Sequence, residues 1–231
     1  MNTKEYCDQV EAKDRFHKKL EQNFIIKDNG SPLVSLKDCD LHLIYEPSIM
    51  KGYRYLVREE LVEKIARISE CMRKKDKTLV IRSAWRSFRH QRVLWEQNFA
   101  SIQKKYPSKK IEEINEIVSY YISPEYKSTH STGGALDAMI YDQKNNRILD
   151  FGTNKGYEIE LSKKCYPFHP EISQQAKENR KLLIEQFESE DFVCDMKEYW
   201  HFDYGNIGWA IEKGKDCAFF GTIEIVDLVQ I

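Results

Sequence analysis

The sequence predicts an α+β fold, an antiparallel sheet with helices packed on it, and three observations predict it. Amphipathic helical periodicity is concentrated between residues 59 and 121. Short apolar runs of strand character dominate from Gly134 onward. Helices gathered early and strands gathered late belong to α+β folds rather than to alternating α/β ones. No internal repeat or low-complexity linker breaks the 231 residues, a length that supports one substantial core. Residues 1–30 are expected to form a peripheral arm and residues 31–231 a single domain.

Met1 to Gln22 has weak helical marks at Val10, Phe16 and Leu20, and Asp28-Asn29-Gly30-Ser31-Pro32 is a turn cluster that ends the arm. Leu33 to Leu36 and Leu41 to Tyr45 read as short extended pieces. Glu59 to Lys75 is an amphipathic helix, with Leu61, Val62, Ile65, Ile68, Ser69 and Met72 on one side. Leu79-Val80-Ile81 reads as a buried strand. A second helix runs from Ser87 to about Lys105, with Val93, Leu94, Phe99 and Ile102 facing inward, and Pro107-Ser108 breaks it. Ile111, Ile114, Ile117, Val118 and Tyr121 mark a third helix, stopped by Pro124.

Gly134 to Asp142 is a candidate strand, with Ala135, Asp137, Met139 and Tyr141 on one face and Leu136, Ala138 and Ile140 on the other. Lys144 to Arg147 reads as a hairpin turn into Ile148 to Phe151. Ile172, Ala176, Asn179, Leu183 and Phe187 give a fourth helix. Phe192 to Cys194 and Trp200 to Tyr204 follow as strands, and the tail from Cys217 to Ile231 holds one or two more.

Lys and Arg number 36 against 37 Asp and Glu, so net charge argues for neither a nucleic-acid nor a membrane partner. No stretch approaches the roughly 20 apolar residues of a membrane span. The first residues lack an apolar run behind their basic residue, so no Sec-type leader is expected and a cytoplasmic address is. In that compartment the scattered cysteines are expected to be free thiols.

The chemistry-bearing residues lie in two segments. His130 and Asp137 are an odd number of residues apart, so on a continuous strand they would point to opposite faces. Gly133-Gly134 lets the chain bend between them. Downstream, Glu198 and His201 flank Tyr199-Trp200. His130, Asp137 and His201 would supply the three protein ligands of a catalytic zinc, whose fourth position stays open for water. Glu198, expected in the turn after Asp195-Met196, would then take a proton from that water and pass it to a leaving amine. Ser128 could donate a hydrogen bond into the site. Arg86 follows a buried strand and opens a helix, where a guanidinium could stabilise an oxyanion, although Arg82, Arg89 and Arg92 crowd the same segment. The competing reading is a loop histidine beside a surface aspartate, a solvated Glu198 and a surface arginine.

The joint pattern S-x-H-x-x-G-x-A-x-D (Ser128, His130, Gly133, Ala135, Asp137) and E-x-W-H-F (Glu198, Trp200, His201, Phe202) resembles the zinc D-Ala-D-Ala peptidases of cell-wall metabolism. Within them the chain looks most like the D-alanyl-D-alanine dipeptidases of the vancomycin-resistance type. Ala84-Trp85-Arg86-Ser87 with Gln91, Tyr55 to Glu59, Gly208-Trp209-Ala210 and Ala218 to Gly221 extend the likeness over about residues 33–225. The resemblance implies hydrolysis of D-Ala-D-Ala or similar short dipeptides with one zinc per chain. It implies ligands at His130, Asp137 and His201, a base at Glu198, and carbonyl polarisation by Arg86 rather than its neighbours. A carboxypeptidase acting on longer peptidoglycan peptides, of D,D or L,D type, and a zinc-binding protein without turnover are the alternatives.

The chain departs from the family in three places, the first being that an upstream Asn-Phe segment seen in many dipeptidases is not evident. Ser87 stands where a proline follows the arginine. The family's G-S/T-x-F-D, whose aspartate holds the substrate's amino group, reads here as Gly152 to Glu158. Either Glu158 replaces that aspartate after a two-residue insertion, or the contact is lost.

Overall fold

The computed structural model describes residues 2–119, 122–153 and 163–224. Helix α1 (Thr3–Glu21) starts where the Asn2 side chain accepts the Glu5 N–H, and it is followed by β1 (Ile25–Ile26). Next come β2 (Leu33–Ser35), β3 (Leu43–Tyr45), β4 (Leu56–Arg58) and α2 (Glu60–Arg73). Strand β5 (Lys77–Ser83) leads to α3 (Phe88–Lys105), capped by the Ser87 hydroxyl, and to α4 (Ile111–Ser119). The second half holds β6 (Ala135–Asp142), β7 (Arg147–Ile148), α5 (Gln174–Glu188) and β8 (Val193–Cys194). It ends with β9 (His201–Asp203), α6 (Ile207–Glu212) and β10 (Cys217–Ala218).

The α+β class holds, but the sheet is mixed rather than antiparallel. Its order is β3-β5-β6-β9-β8, with β7 on the far end of β6. β3 and β5 run parallel, whereas β6 is antiparallel to β5, β7 and β9. The cause is the connection from β3 to β5, which contains β4 and α2. A crossover of that length returns the chain in the same direction. The short edges β1–β10 (parallel) and β2–β4 form separate ribbons.

The two faces of the sheet have different tasks. Leu136, Ala138 and Ile140 of β6 and Phe202 of β9 join Leu61, Ile65, Ile68 and Met72 of α2 and Leu183, Ile184 and Phe187 of α5 in one core. Phe187 and Phe202 stack with centroids 3.8 Å apart. Each such fully buried side chain contributes about 1.5–3 kcal/mol. The alternate residues Asp137, Met139, His201 and Asp203 line a cleft instead. No described helix is long and apolar enough to cross a membrane, and none of the six cysteines is in a disulfide.

Arg58, 1% exposed, ties the chain together behind the cleft. Its guanidinium donates to the carbonyls of Thr132 (2.7 Å), Ser31 (2.6 Å) and Gly221 (2.8 Å) and to the Asp28 carboxylate (2.5 Å). Its main-chain N–H donates to Gly133 O at 2.9 Å. Replacement by Met would keep the main-chain bond but orphan the four side-chain acceptors, so Arg58→Met is expected to lose at least about 2 kcal/mol of unfolding free energy in a urea titration of metal-free protein. A loss below the error of that titration would contradict this role.

Candidate metal centre

His130 does not lie on a strand. It sits in the 3-10 turn Thr129–Thr132, closed by Gly133 in the left-handed region at φ +73°. A Cβ at Gly133 would run into Leu33, and one at Gly134 would run into the Tyr204 carbonyl. The glycines therefore do turn the chain, and they also let β6 approach the segment after β9. Asp137 and His201 are direct cross-strand partners on β6 and β9, which places both side chains on the cleft face.

The three residues are 4–7% exposed, and one donor atom from each lies within 4.8 Å of the others. Among the described residues this is the group of His, Cys, Asp and Glu that could hold a metal. The orientations are set from outside. His130 Nδ1 donates to Ala84 O at 2.7 Å, leaving Nε2 turned to Asp137 Oδ1 at 3.3 Å. His201 Nδ1 is 3.0 Å from the same oxygen, while its Nε2 faces Asp203 Oδ1 (3.1 Å) and Thr129 Oγ1 (3.0 Å). Asn206, which caps α6, donates to Asp203 Oδ1 at 2.6 Å. Each histidine thus has one nitrogen committed to the protein and one turned inward, the usual arrangement around a bound metal. Two nitrogens and a carboxylate oxygen suit zinc.

Burial, helped by Arg86, pushes His130 down to about 4. Burial works to raise Asp137, but His130 and Arg86 hold it well below the usual carboxylate range. Burial works to lower His201, but Asp203 and the bond to Asp137 hold it well above the usual imidazole value.

Glu198 lies in the turn before β9, as its spacing from His201 predicts. The Asp195 carboxylate accepts the N–H of Lys197 (2.7 Å) and of Glu198 (2.9 Å), and the Glu198 carbonyl accepts the His201 N–H (3.0 Å). Burial pushes Glu198 up to about 7; Asp195 and Asp137 add to this and His201 opposes it. Arg86 is no surface arginine, its side chain being 14% exposed. Its terminal nitrogen donates to Asp137 Oδ2 at 2.6 Å and its Nε to Ser83 Oγ at 2.8 Å. Ser128, buried, precedes the His130 turn and lines the cleft. Glu158 lies outside the described residues.

Sequence reasoning passed over Asp203, Thr129, Asn206 and Asp195. Asp203 had a signal, since residues two apart on a strand share a face. Asp195 had one too, an aspartate before a turn that can accept the N–H groups following it. The Ala84 carbonyl had none.

The cleft measures about 1420 Å³. Its walls include α1, through Asp14, His17 and Glu21, and the tail at Thr222. Helix α1 is pinned by Lys13 to Glu212 of α6 (2.6 Å) and by Asp14 to Lys197 (3.5 Å) beside Glu198.

Residues 44–214 match the D-ala-D-ala dipeptidase family. The D-alanyl-D-alanine dipeptidase of Escherichia coli K12 is 33% identical over 84 residues, 36% of this chain and 42% of that one, so the match spans less than half of the relative's length. Among solved structures, the vancomycin-resistance D,D-pentapeptidase VanY of a VanB-type cassette, in complex with Zn(II), is 13% identical with a TM-score of 0.45, covering 84% of this chain and 94% of that one. The peptidoglycan LD-carboxypeptidase LdcB is 14% identical with a TM-score of 0.46, covering 83% and 76%.

Because Asp203 and Asp137 hold its pKa well above the usual imidazole value, His201 is expected to carry a proton on both nitrogens at neutral pH in the metal-free protein, and His130, pushed down to about 4 by burial, is expected to be neutral. Binding through His201 Nδ1 must expel one of those protons. Calorimetry of zinc binding at pH 7 in buffers of different ionisation enthalpy is expected to show release of about one proton, with affinity rising as pH rises. Binding without proton release would contradict this assignment.

Proposed function

The chain belongs to the D-Ala-D-Ala dipeptidase family of metallopeptidases, and from that premise we propose that it is a zinc dipeptidase hydrolysing D-Ala-D-Ala or similar short D-amino-acid dipeptides. The observation that carries the reading is the convergence of three donor atoms on one point of the cleft, with a carboxyl group raised to about 7 on the adjoining turn. Three protein donors leave a position free, as catalysis requires and a structural site does not. That favours an enzyme over a zinc-binding protein without turnover.

His130 Nε2, Asp137 and His201 Nδ1 would hold the ion. When bound, zinc supplies a Lewis acid that acidifies water and polarises a carbonyl oxygen. Glu198 removes the proton from the attacking water and returns it to the departing amine; a pKa near neutrality suits both transfers. Arg86 fixes the free oxygen of Asp137 and brings a cation to the cleft wall, where it offsets negative charge developing on the carbonyl oxygen. Ser128 offers a hydroxyl to a polar group of the substrate. Glu158 is the proposed partner of the substrate's amino group, on its place in the sequence.

The size of the cleft favours a second reading. Pockets for small ligands run to about 300–1,000 Å³, and this one, at about 1420 Å³, exceeds what a dipeptide fills. A D,D- or L,D-carboxypeptidase acting on longer peptides would use the same chemistry.

Hydrolysis of D-Ala-D-Ala is expected to stop with a chelator and to fall at least about 10²-fold in Glu198→Ala. Equal rates in all three would overturn the proposal. Because the neutral form of Glu198 is inactive as a base, kcat/KM is expected to rise with pH through an ionisation at or below about 7. A profile flat across that range in the zinc-loaded enzyme would contradict the base role. A kcat/KM higher on a longer peptide than on the dipeptide would select the second reading.

A further inference from the structure

Arg180, on α5, is fully buried, and no carboxylate is bonded to it among the described residues. Its guanidinium donates to main-chain carbonyls instead. Nε and one terminal nitrogen reach Phe151 O at 2.8 and 2.6 Å, and that terminal nitrogen also reaches Lys164 O at 2.9 Å. The other terminal nitrogen reaches Tyr166 O at 2.8 Å and Pro167 O at 3.4 Å. One side chain therefore joins the chain at Phe151 to the chain at Lys164 to Pro167. The planar fork of arginine, with five N–H donors, suits it to this, which lysine's single ammonium does not.

The Tyr199 ring lies 4.0 Å from the guanidinium and stacks on the Phe151 ring at 5.3 Å. Its hydroxyl donates to Thr153 O and its main-chain N–H to Cys165 O, each at 3.0 Å. Tyr199 is thus anchored to the same two segments that Arg180 clamps. The preceding residue is Glu198. No hydrogen bond holds the Glu198 carboxylate among the described residues, so its position follows from its backbone. Asp195 fixes that backbone on one side, and Tyr199 fixes it on the other.

We infer that Arg180 is a positioning residue for the reaction, acting through the Tyr199 ring to set where the Glu198 carboxylate stands relative to His130, Asp137 and His201. The inference rests on the reading of Glu198 as the base. Its consequence is selective: the metal ligands hang on β6, β9 and the His130 turn, which Arg180 does not touch.

The test uses Tyr199→Leu, which keeps the bond from its N–H to Cys165 and removes the ring, and Arg180→Lys, which keeps the charge and loses the fork. Both are made in the wild-type and Glu198→Gln backgrounds. Zinc affinity is read by chelator competition, and kcat and KM on whichever peptide the wild type turns over. A displaced base is expected to lower kcat by about 10²-fold, with zinc affinity and KM held within about twofold and little further loss in the Glu198→Gln background. Equal losses in both backgrounds, or a fall in zinc affinity that matches the fall in kcat, would show general structural damage and overturn the inference. Wild-type kcat in both variants beside an inactive Glu198→Gln would overturn the inference and leave the base reading standing, and wild-type kcat in Arg180→Lys beside an impaired Tyr199→Leu would overturn the part given to Arg180. Full activity of Glu198→Gln would instead overturn the base reading beneath it. Arg180→Lys decides the matter if Tyr199→Leu does not fold.

Discussion

The site is organised around one buried carboxylate. Asp137 shares Oδ1 between His130 and His201 and gives Oδ2 to Arg86. Burying an unpaired carboxylate costs several kcal/mol even after relaxation, and removing a partner from such a set costs more than the set contributes. The surrounding cations are therefore a condition of the fold as much as of the chemistry. In the metal-free protein Arg86 supplies positive charge, and the upward shift that Asp203 and Asp137 give His201 favours its protonated form there as well. A divalent ion can replace the proton of His201 with little rearrangement, because each ring already has its other nitrogen tied to the protein. Asp203 then fixes the tautomer of His201 from behind, and Asn206 fixes Asp203.

The architecture delivers this set by alternation. On β6 and β9 successive residues point to opposite faces, so Leu136 and Phe202 go to the core while Asp137 and His201 go to the cleft. Slipping the register by one residue would bury the ligands among phenylalanines, which the hydrophobic core forbids. The rest of the cleft is lined partly from within the family-matched residues 44–214, by Glu46 to Ile49 and by α3 at His90, Gln91 and Leu94, and partly from outside them, by α1 and the tail at Thr222. The cleft-side half of α1 is held in part by surface charge pairs such as Lys13–Glu212, of a kind individually worth no more than about 1 kcal/mol, whereas the tail is tied by Arg58 to Gly221 O and by the Ile223 N–H to Ser131 O. Asp137 and His201 therefore stand on the sheet, while His130 and Glu198 stand on turns beside it.

Residue type and spacing made the centre of the site legible. Two histidines, an aspartate and a glutamate in S-x-H-x-x-G-x-A-x-D and E-x-W-H-F admit few arrangements, and the structure brings His130, Asp137 and His201 together as those patterns imply. Long periodic helices were legible for the same reason, α2 and α5 lying within two or three residues of their expected bounds. What escaped was set by tertiary contact. β1 and α6 are too short to show a period. The parallel pairing of β3 with β5 depends on where the crossover returns, which apolar alternation does not encode. Arg86 carried its position in the sequence but not its bond to Asp137, and the Ala84 carbonyl that orients His130 is backbone. Nothing in the arm's composition pointed to α1 as a wall of the cleft.

The most direct test of the account is anomalous diffraction at the zinc edge from crystals of the zinc-loaded protein. The account predicts one peak at about 2.0–2.2 Å from His130 Nε2, an Asp137 oxygen and His201 Nδ1, with Glu198 close by but outside bonding distance. A peak bound through His201 Nε2 and Asp203, or no peak within reach of Asp137, would contradict it.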